Sequence, residues 1–145
     1  MSEHYPQVSV MGAEEKVTFT RSIYIDTTPN IPTKLQDELD GSFEFTLEDV
    51  IERGTRINIG TPYFSKLYIE AYHTRDTENG LSKAFLEQGW KKEAGDAGVK
   101  FREGSLDNMT VSIYTVVVGQ YNSTKTIEVP DDDLRLAIFV KEGKY

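Results

Sequence analysis

The sequence contains no cysteine, and this absence removes several classes of chemistry at once. Disulfide bonds, thiolate nucleophiles and cysteine-ligated metal sites are all excluded. The N-terminal segment Met1-Ser-Glu-His-Tyr-Pro6 lacks the basic and apolar regions of a secretory signal peptide. No apolar run approaches the roughly 20 residues that a membrane-spanning helix needs. We therefore expect a protein that is made and kept in the cytoplasm and has no membrane partner.

Positive charge is scarce as well. The 16 Lys and Arg residues are outnumbered by 24 Asp and Glu, which gives a formal net charge of −8. Because binding to nucleic acid draws on clustered Lys and Arg, no nucleic-acid partner is expected. The charge favours solubility and is also compatible with a basic protein partner. With 145 residues, 38% of them hydrophobic, residues 1–145 are predicted to form a single globular domain.

The motifs of familiar catalytic sites are missing. The two histidines, His4 and His73, lie far apart, and neither accompanies a Gly-x-Ser-x-Gly motif. We expect His73, at the end of a strand pattern, to lie on the surface. No glycine-rich phosphate loop is present. The acidic run 131–133 lacks the spacing of a calcium loop and is typical of an exposed turn after Pro130. The sequence therefore predicts no enzyme, no cofactor and no metal site.

What the sequence has in quantity is short β-rich runs separated by turn residues. About eight such runs are predicted as strands, over residues 16–25, 42–45, 55–60, 63–73, 99–101, 109–118, 124–129 and 134–140. Two or three short helices are predicted over residues 33–40, 47–53 and 81–94. Regular helical crossovers are absent, which argues against a parallel sheet. The prediction is a mainly β fold, an antiparallel β-sandwich or barrel.

Two of these predictions are specific enough to be tested directly. The runs from 109 to 140 follow one another closely and predict an antiparallel meander. The second half of the run 109–118 is apolar on both sides, which predicts cover on both faces by the helices or by a neighbouring subunit. The sequence Thr46-Leu-Glu-Asp49 has the form of a capping box, with Gly54 placed as a C-terminal cap, and predicts the helix 47–53.

An aromatic face is the most distinctive candidate for a binding site. Phe64, Tyr68 and Tyr72 recur at every fourth position of the predicted strand 63–73, and charged residues lie between them. Such a face is a candidate subunit contact or a platform for a sugar ring. The alternative is that a predicted helix covers the face and makes the aromatic residues part of the core. Trp90 carries the same ambiguity.

Three non-catalytic functions follow from these features. The first is a structural or assembly subunit, such as a bacteriophage head or tail component, which forms homo-oligomers or binds other assembly proteins. Residues 1–11 would act as an N-terminal arm or edge strand that adds to a neighbour's sheet, with Val8 and Val10 setting the register. The second is a β-sandwich module that binds a carbohydrate or small ligand. The third is an acidic inhibitor or immunity-type protein that blocks a basic partner.

Overall fold

A computed structural model describes residues 5–10, 17–21, 32–47, 52–74, 78–98, 109–120, 122–130 and 135–143 of the chain. These residues contain nine strands and two helices: β1 (Gln7–Val10), β2 (Val17–Arg21), α1 (Thr33–Leu39), β3 (Phe43–Leu47), β4 (Arg56–Thr61), β5 (Ser65–Thr74), α2 (Glu78–Glu87), β6 (Lys91–Gly98), β7 (Met109–Val118), β8 (Ser123–Glu128) and β9 (Arg135–Glu142). Neither described helix is long and apolar enough to cross a bilayer.

The strands form two separate antiparallel sheets. The smaller sheet has the order β1-β4-β8, and the larger has the order β2-β3-β9-β5-β7-β6. Among the described strands each sheet has two outermost strands that do not pair with each other, so neither sheet closes on itself. Side chains from both sheets enter one buried cluster. The predicted mainly β, antiparallel sandwich is confirmed.

The interior of the sandwich follows from the alternation within single strands. In β3 and β4 every second residue is buried, and the apolar ones among them are Phe43, Phe45, Leu47, Ile57 and Ile59. They meet Leu67 and Ile69 from β5, while Leu81 and Phe85 of α2 extend the same cluster. Full burial of each large aliphatic or aromatic side chain contributes roughly 1.5–3 kcal/mol. Most of the stabilisation of the fold therefore resides between the two sheets.

The opposite face of the large sheet is covered by α1. Leu35 and Leu39 of this helix pack in a second buried cluster with side chains of β5, β7 and β9, namely Tyr68, Val111, Ile113, Ala137 and Phe139. Cover on both faces is thus present in β7, where residues 111–115 are all buried. In the second half of the strand it includes Tyr114 and Thr115 but not Val117, which is 48% exposed. A helix of the same chain, α1, supplies this cover.

The predicted C-terminal meander is wrong. β7 and β9 are not neighbours, because β5 lies between them and pairs with both. β8 belongs to the other sheet, where it pairs with β4. The reason lies in composition: β5, β7 and β9 have apolar residues on both faces, whereas Ile127 is the fully buried side chain of β8. Strands buried on two faces occupy the centre of the large sheet, and β8 suits a small sheet with one outer face.

The predicted helix 47–53 does not begin where the capping pattern placed it. Thr46 and Leu47 belong to β3, where Thr46 pairs with Thr18 and Ala137. Residues 48–51 lie outside the described residues, and Arg53 and Gly54 form a turn. Strand pairing on both sides of β3 therefore outweighs a local capping signal.

The predicted helix 81–94 is only partly right. α2 ends at Glu87, and Gly89 follows with φ +91°, the left-handed conformation that commonly terminates helices. Residues 91–98 form β6 at the edge of the large sheet. Its sequence, Lys-Lys-Glu-Ala-Gly-Asp-Ala-Gly, has little strand propensity, so pairing with β7 places it in the sheet.

The cover provided by α1 can be tested with a pair of leucines. Leu39 is fully buried, so Leu39→Ala should lower the free energy of unfolding by about 2–5 kcal/mol, through lost burial and a residual cavity. Leu86 on α2 is 53% exposed, and Leu86→Ala should change it by less than about 0.5 kcal/mol. Urea denaturation followed by circular dichroism measures both. Similar losses in the two variants would contradict the packing of Leu39 against the large sheet.

Candidate functional site

The predicted aromatic face does not form one exposed surface. Tyr68 is fully buried beneath α1, and Trp90 is buried between the sheets at 2% exposure. Tyr72 is half-buried, and Phe64 precedes β5 in a bend, where it lies 3.8 Å from the Cβ that Gly119 lacks. In this chain Tyr68 and Trp90 therefore offer a partner no surface, and Phe64 and Tyr72 are only partly accessible.

The hydroxyl of Tyr68 belongs to a polar contact that fastens α1 to the sheet. Glu38 Oε1 accepts hydrogen bonds from Lys66 Nζ at 2.8 Å and from Tyr68 Oη at 2.9 Å. Burial by itself raises the pKa of Glu38, but the hydrogen bonds from Lys66 and Tyr68 and the charge of Lys66 outweigh it, so the pKa lies below its ordinary 4.5. The ionised carboxylate therefore stabilises the docked position of α1.

A second polar contact lies further along β5. Tyr72 Oη donates a hydrogen bond of 2.9 Å to Glu70 Oε1, and Glu70 is only 6% exposed. Burial, together with the negative charges of Glu70 and Glu44, raises the pKa of Tyr72 far above its ordinary value. Tyr72 therefore stays protonated at physiological pH and cannot act as a base there. Among the described residues no group of three or more His, Cys, Asp or Glu is placed to hold a metal ion.

A serine and a histidine within hydrogen-bonding distance of each other are enclosed in the protein. His73 Nε2 and Ser112 Oγ are 2.9 Å apart, with exposures of 1% and 0%. The expectation that His73 lies on the surface is therefore wrong, because β5 carries it into the interior at the end of the large sheet. A nucleophile must reach its substrate, and this hydroxyl has no contact with solvent. The hydrogen bond satisfies two buried polar groups.

Edges of the sheets differ in how their backbone groups are occupied. β6 is irregular, with register shifts between Lys92 and Ala94 and between Ala94 and Ala97. Such bulges interrupt the row of hydrogen-bonding groups that another strand would need. At β8, the side-chain amide of Gln88 donates to the carbonyl of Glu128 at 3.0 Å and accepts from its N–H at 2.9 Å. One end of the β8 edge is therefore occupied by a glutamine side chain.

At the outer edge of β1, the described residues show neither a register shift nor a side chain bonded to the backbone of the strand. β1 pairs with β4 through residues 7–10 and 57–60, and no other described strand pairs with it. Val8 and Val10 are half-buried against the core cluster of their own chain, while Gln7 and Ser9 are exposed. The segment that we predicted as an N-terminal arm or edge strand thus forms an edge strand within its own chain. Residues 1–4 and 11 lie outside the described residues.

Concave surfaces lie along β8, and two of them include residues from its N-terminal half. A groove of about 430 Å³ runs between the end of β7 and the start of β8, over Val116 to Gly119 and Ser123 to Lys125. A depression of about 300 Å³ lies at one end of the small sheet, and its lining includes Tyr5, Gln7, Gly60, Asn122 and Thr124. The second surface carries Tyr5, which at 56% is the most exposed aromatic residue in the part of the chain that the structure describes.

Comparisons of the chain with protein-family models, with curated proteins and with solved structures find no match. A functional interpretation therefore depends on the geometry of this chain. His4, the run 99–101 and the acidic run 131–133 lie outside the described residues, so the structure does not bear on the predictions made for them.

Two surface residues, Gln88 and Gly60, were not predicted from the sequence as parts of a candidate site. Gln88 gives no local signal, since its role depends on Glu128, forty residues away. Gly60 does give one, because a glycine inside an alternating strand pattern indicates a bulge or a close approach. The position falls at the end of the predicted strand 55–60, where it reads as part of the turn before Pro62.

The contact between Glu38 and Lys66 predicts a dependence of stability on pH. Because the pKa of Glu38 is lower in the folded state than in the unfolded chain, its contribution is complete above pH 4.5 and is lost as the pH falls through the lower, folded value. Glu38→Gln should lower the free energy of unfolding at pH 7 by about 1 kcal/mol, and this difference from the wild type should shrink towards pH 3. Urea denaturation at both pH values measures it, and a constant difference would contradict the assignment.

The role of Gln88 predicts a local change in hydrogen exchange. Gln88→Ala removes the acceptor for the Glu128 N–H, so this amide should exchange at least about 5-fold faster, while the global stability falls by no more than about 1.5 kcal/mol. Exchange followed by NMR measures the effect. The amide of Ile127, in the same strand, serves as the control, because its residue pairs with Ile57. Equal acceleration at both amides would indicate general loosening of β8 and contradict a local role of Gln88.

Proposed function

We propose that the protein is a non-catalytic structural subunit that associates with further copies of itself through the outer edge of β1. The single observation that carries this proposal is the regular edge of β1, which pairs with β4 alone among the described strands. In assembly, a strand of a neighbouring copy would add to this edge. Such a subunit would be made in the cytoplasm and built into a particle, such as a bacteriophage head or tail.

The direction of the backbone groups in β1 follows from the pairing of β4 with β8. Glu128 directs its N–H and carbonyl to Gln88 and therefore away from β4. In an antiparallel ladder, pairs of opposite residues that are hydrogen-bonded to each other alternate with pairs that are not. Glu128 and Arg56 form a pair of the second kind, so Arg56 directs its N–H and carbonyl towards β1, and so do Asn58 and Gly60.

The same alternation assigns the residues of β1. Gln7 and Ser9 stand opposite Gly60 and Asn58 and take part in hydrogen bonds with β4. Val8 and Val10 then direct their N–H and carbonyl groups to the outer edge. Their side chains meanwhile pack against the core of their own chain. A strand of a second copy can thus bond to β1 without removing either valine from the core.

Charge supports edge pairing over a contact between charged surfaces. At a net charge of −8, copies of this chain repel one another, whereas hydrogen bonds between backbones involve no net charge. Because added salt screens the repulsion, assembly should strengthen as salt is raised. An acidic inhibitor that captures a basic partner would show the opposite dependence on salt.

A proline at the outer edge tests the proposal. Val8→Pro removes an N–H that points outward and adds ring atoms at the edge, while the alternation leaves the bonds between β1 and β4 in place. We expect light scattering of the wild type at tens of micromolar to give a mass of several subunits, and that of Val8→Pro to give one subunit. Ser9→Thr is the matched control and should keep the wild-type mass.

Two results would contradict the proposal. One is a wild-type protein that stays monomeric at these concentrations both in low salt and in 0.5 M NaCl. The other is an unchanged assembly in Val8→Pro. Circular dichroism at the same concentration verifies that the variant keeps its strand content, so that a loss of mass is not mistaken for a loss of folding.

A further inference from the structure

Gly60 occupies a position in β4 where the fold does not require glycine. It pairs with Gln7 on one side and with Thr124 on the other. A Cβ at this position would contact only the carbonyl oxygen of Gln7, at an ordinary 3.8 Å, and the backbone has no positive φ there. Glycine inside a strand lowers stability and often marks the close approach of a ligand. The missing side chain leaves a depression between two exposed neighbours, Gln7 and Thr124.

Tyr5 stands at the rim of this depression. Its ring packs edge-on against Phe43, with an interplanar angle of 87° and a centroid distance of 6.0 Å. Phe43 belongs to the buried core, so it holds the tyrosine ring against a fixed support. More than half of the tyrosine surface stays open. A supported, exposed aromatic ring is suited to stacking against the apolar side of a ligand.

The polar groups around the depression are neutral. Gln7 and Asn122 present exposed amides, and Thr124 presents an exposed hydroxyl. Amides both donate and accept hydrogen bonds, as hydroxyl-rich ligands require. None of the described lining residues is Asp, Glu, Lys, Arg or His, although the chain carries 40 Asp, Glu, Lys and Arg residues in all. The volume of about 300 Å³ lies at the lower end of ligand pockets, which suits one or two sugar units.

We propose that this depression binds a neutral carbohydrate, an activity beyond the assembly function proposed above. One sugar ring stacks on Tyr5 and approaches the backbone of β4 closely, because Gly60 has no side chain. The sugar hydroxyls form hydrogen bonds with Gln7, Asn122 and Thr124. None of the described lining residues is charged, which disfavours phosphates, sulfated sugars and charged peptides as occupants, because each would be desolvated there without a charged partner.

The test is a titration of the full chain with neutral tetrasaccharides built from glucose, mannose, galactose and N-acetylglucosamine, followed by NMR. At least one of them should shift the backbone amides of Gly60, Asn122 and Thr124, with a dissociation constant of 1 mM or tighter, on the order of −4 kcal/mol. A sulfated tetrasaccharide serves as the charged control and should give no shifts. If none of the neutral sugars shifts these amides at 10 mM, the proposal is overturned.

A matched pair of threonine substitutions locates the binding. Gly60→Thr fills the depression and should weaken binding at least about 10-fold, while it raises the melting temperature, because a β-branched residue suits a strand. Ser9→Thr makes a similar change on the same outer face, one row away, and should leave binding unchanged. Tyr5→Ala should also abolish binding without unfolding the protein, because the residue is exposed.

The outcomes separate this proposal from assembly. Val8→Pro should bind the sugar as the wild type does, even where it fails to assemble. Unchanged sugar affinity in Gly60→Thr would place the site elsewhere and overturn the proposal. A third result would also overturn it: the wild type binds no sugar, and Gly60→Thr lowers the mass of the assembly measured by light scattering. The depression would then be a contact with a second copy.

Discussion

β5 is the strand on which the rest of the structure depends. It is hydrogen-bonded along both sides, with β7 over residues 65–74 and with β9 over residues 65–72. Both of its faces are buried, Leu67 and Ile69 against the small sheet and Tyr68 against α1. A strand so placed must satisfy every backbone group by pairing and must carry side chains that fit two different environments. The polar residues of β5 follow from this constraint, since Glu70 and His73 are buried and each has a hydrogen-bonding partner.

Local patterns in the sequence predicted the strands more faithfully than their pairing. The alternation in residues 42–45 and 55–60 corresponds to β3 and β4, and the run 109–118 corresponds to β7. Pairing depends on which strands compete for the centre of the large sheet. The runs 109–118, 124–129 and 134–140 are close along the chain, and this closeness led to the wrong prediction of a meander. Thr46 shows the same limit, because its capping pattern is real as a local preference but pairing on both sides of β3 determines its conformation.

The candidate sites were less accessible to sequence than the fold. The spacing of Tyr68 and Tyr72 correctly predicts that both lie on one side of a strand, but their burial depends on α1, which packs against that side. Both surface features that carry the proposals arise between distant residues. Gly60 lies between Gln7 and Thr124, and the outer edge of β1 is defined by pairing with β4. Hydrophobic periodicity is assessed over short stretches of sequence, so it does not predict contacts between residues that are far apart along the chain.

The position of β9 has a consequence for how the chain folds during its synthesis. Residues 135–142 are the last described strand, yet they lie between β3 and β5 near the middle of the large sheet. Until these residues leave the ribosome, β2 and β3 cannot join β5, and the apolar faces of both parts stay open. Ladders that join residues so far apart form slowly, because the loops between them must first be closed. The nascent chain is therefore most prone to association with other chains in the interval after β5 has emerged and before residues 135–142 emerge.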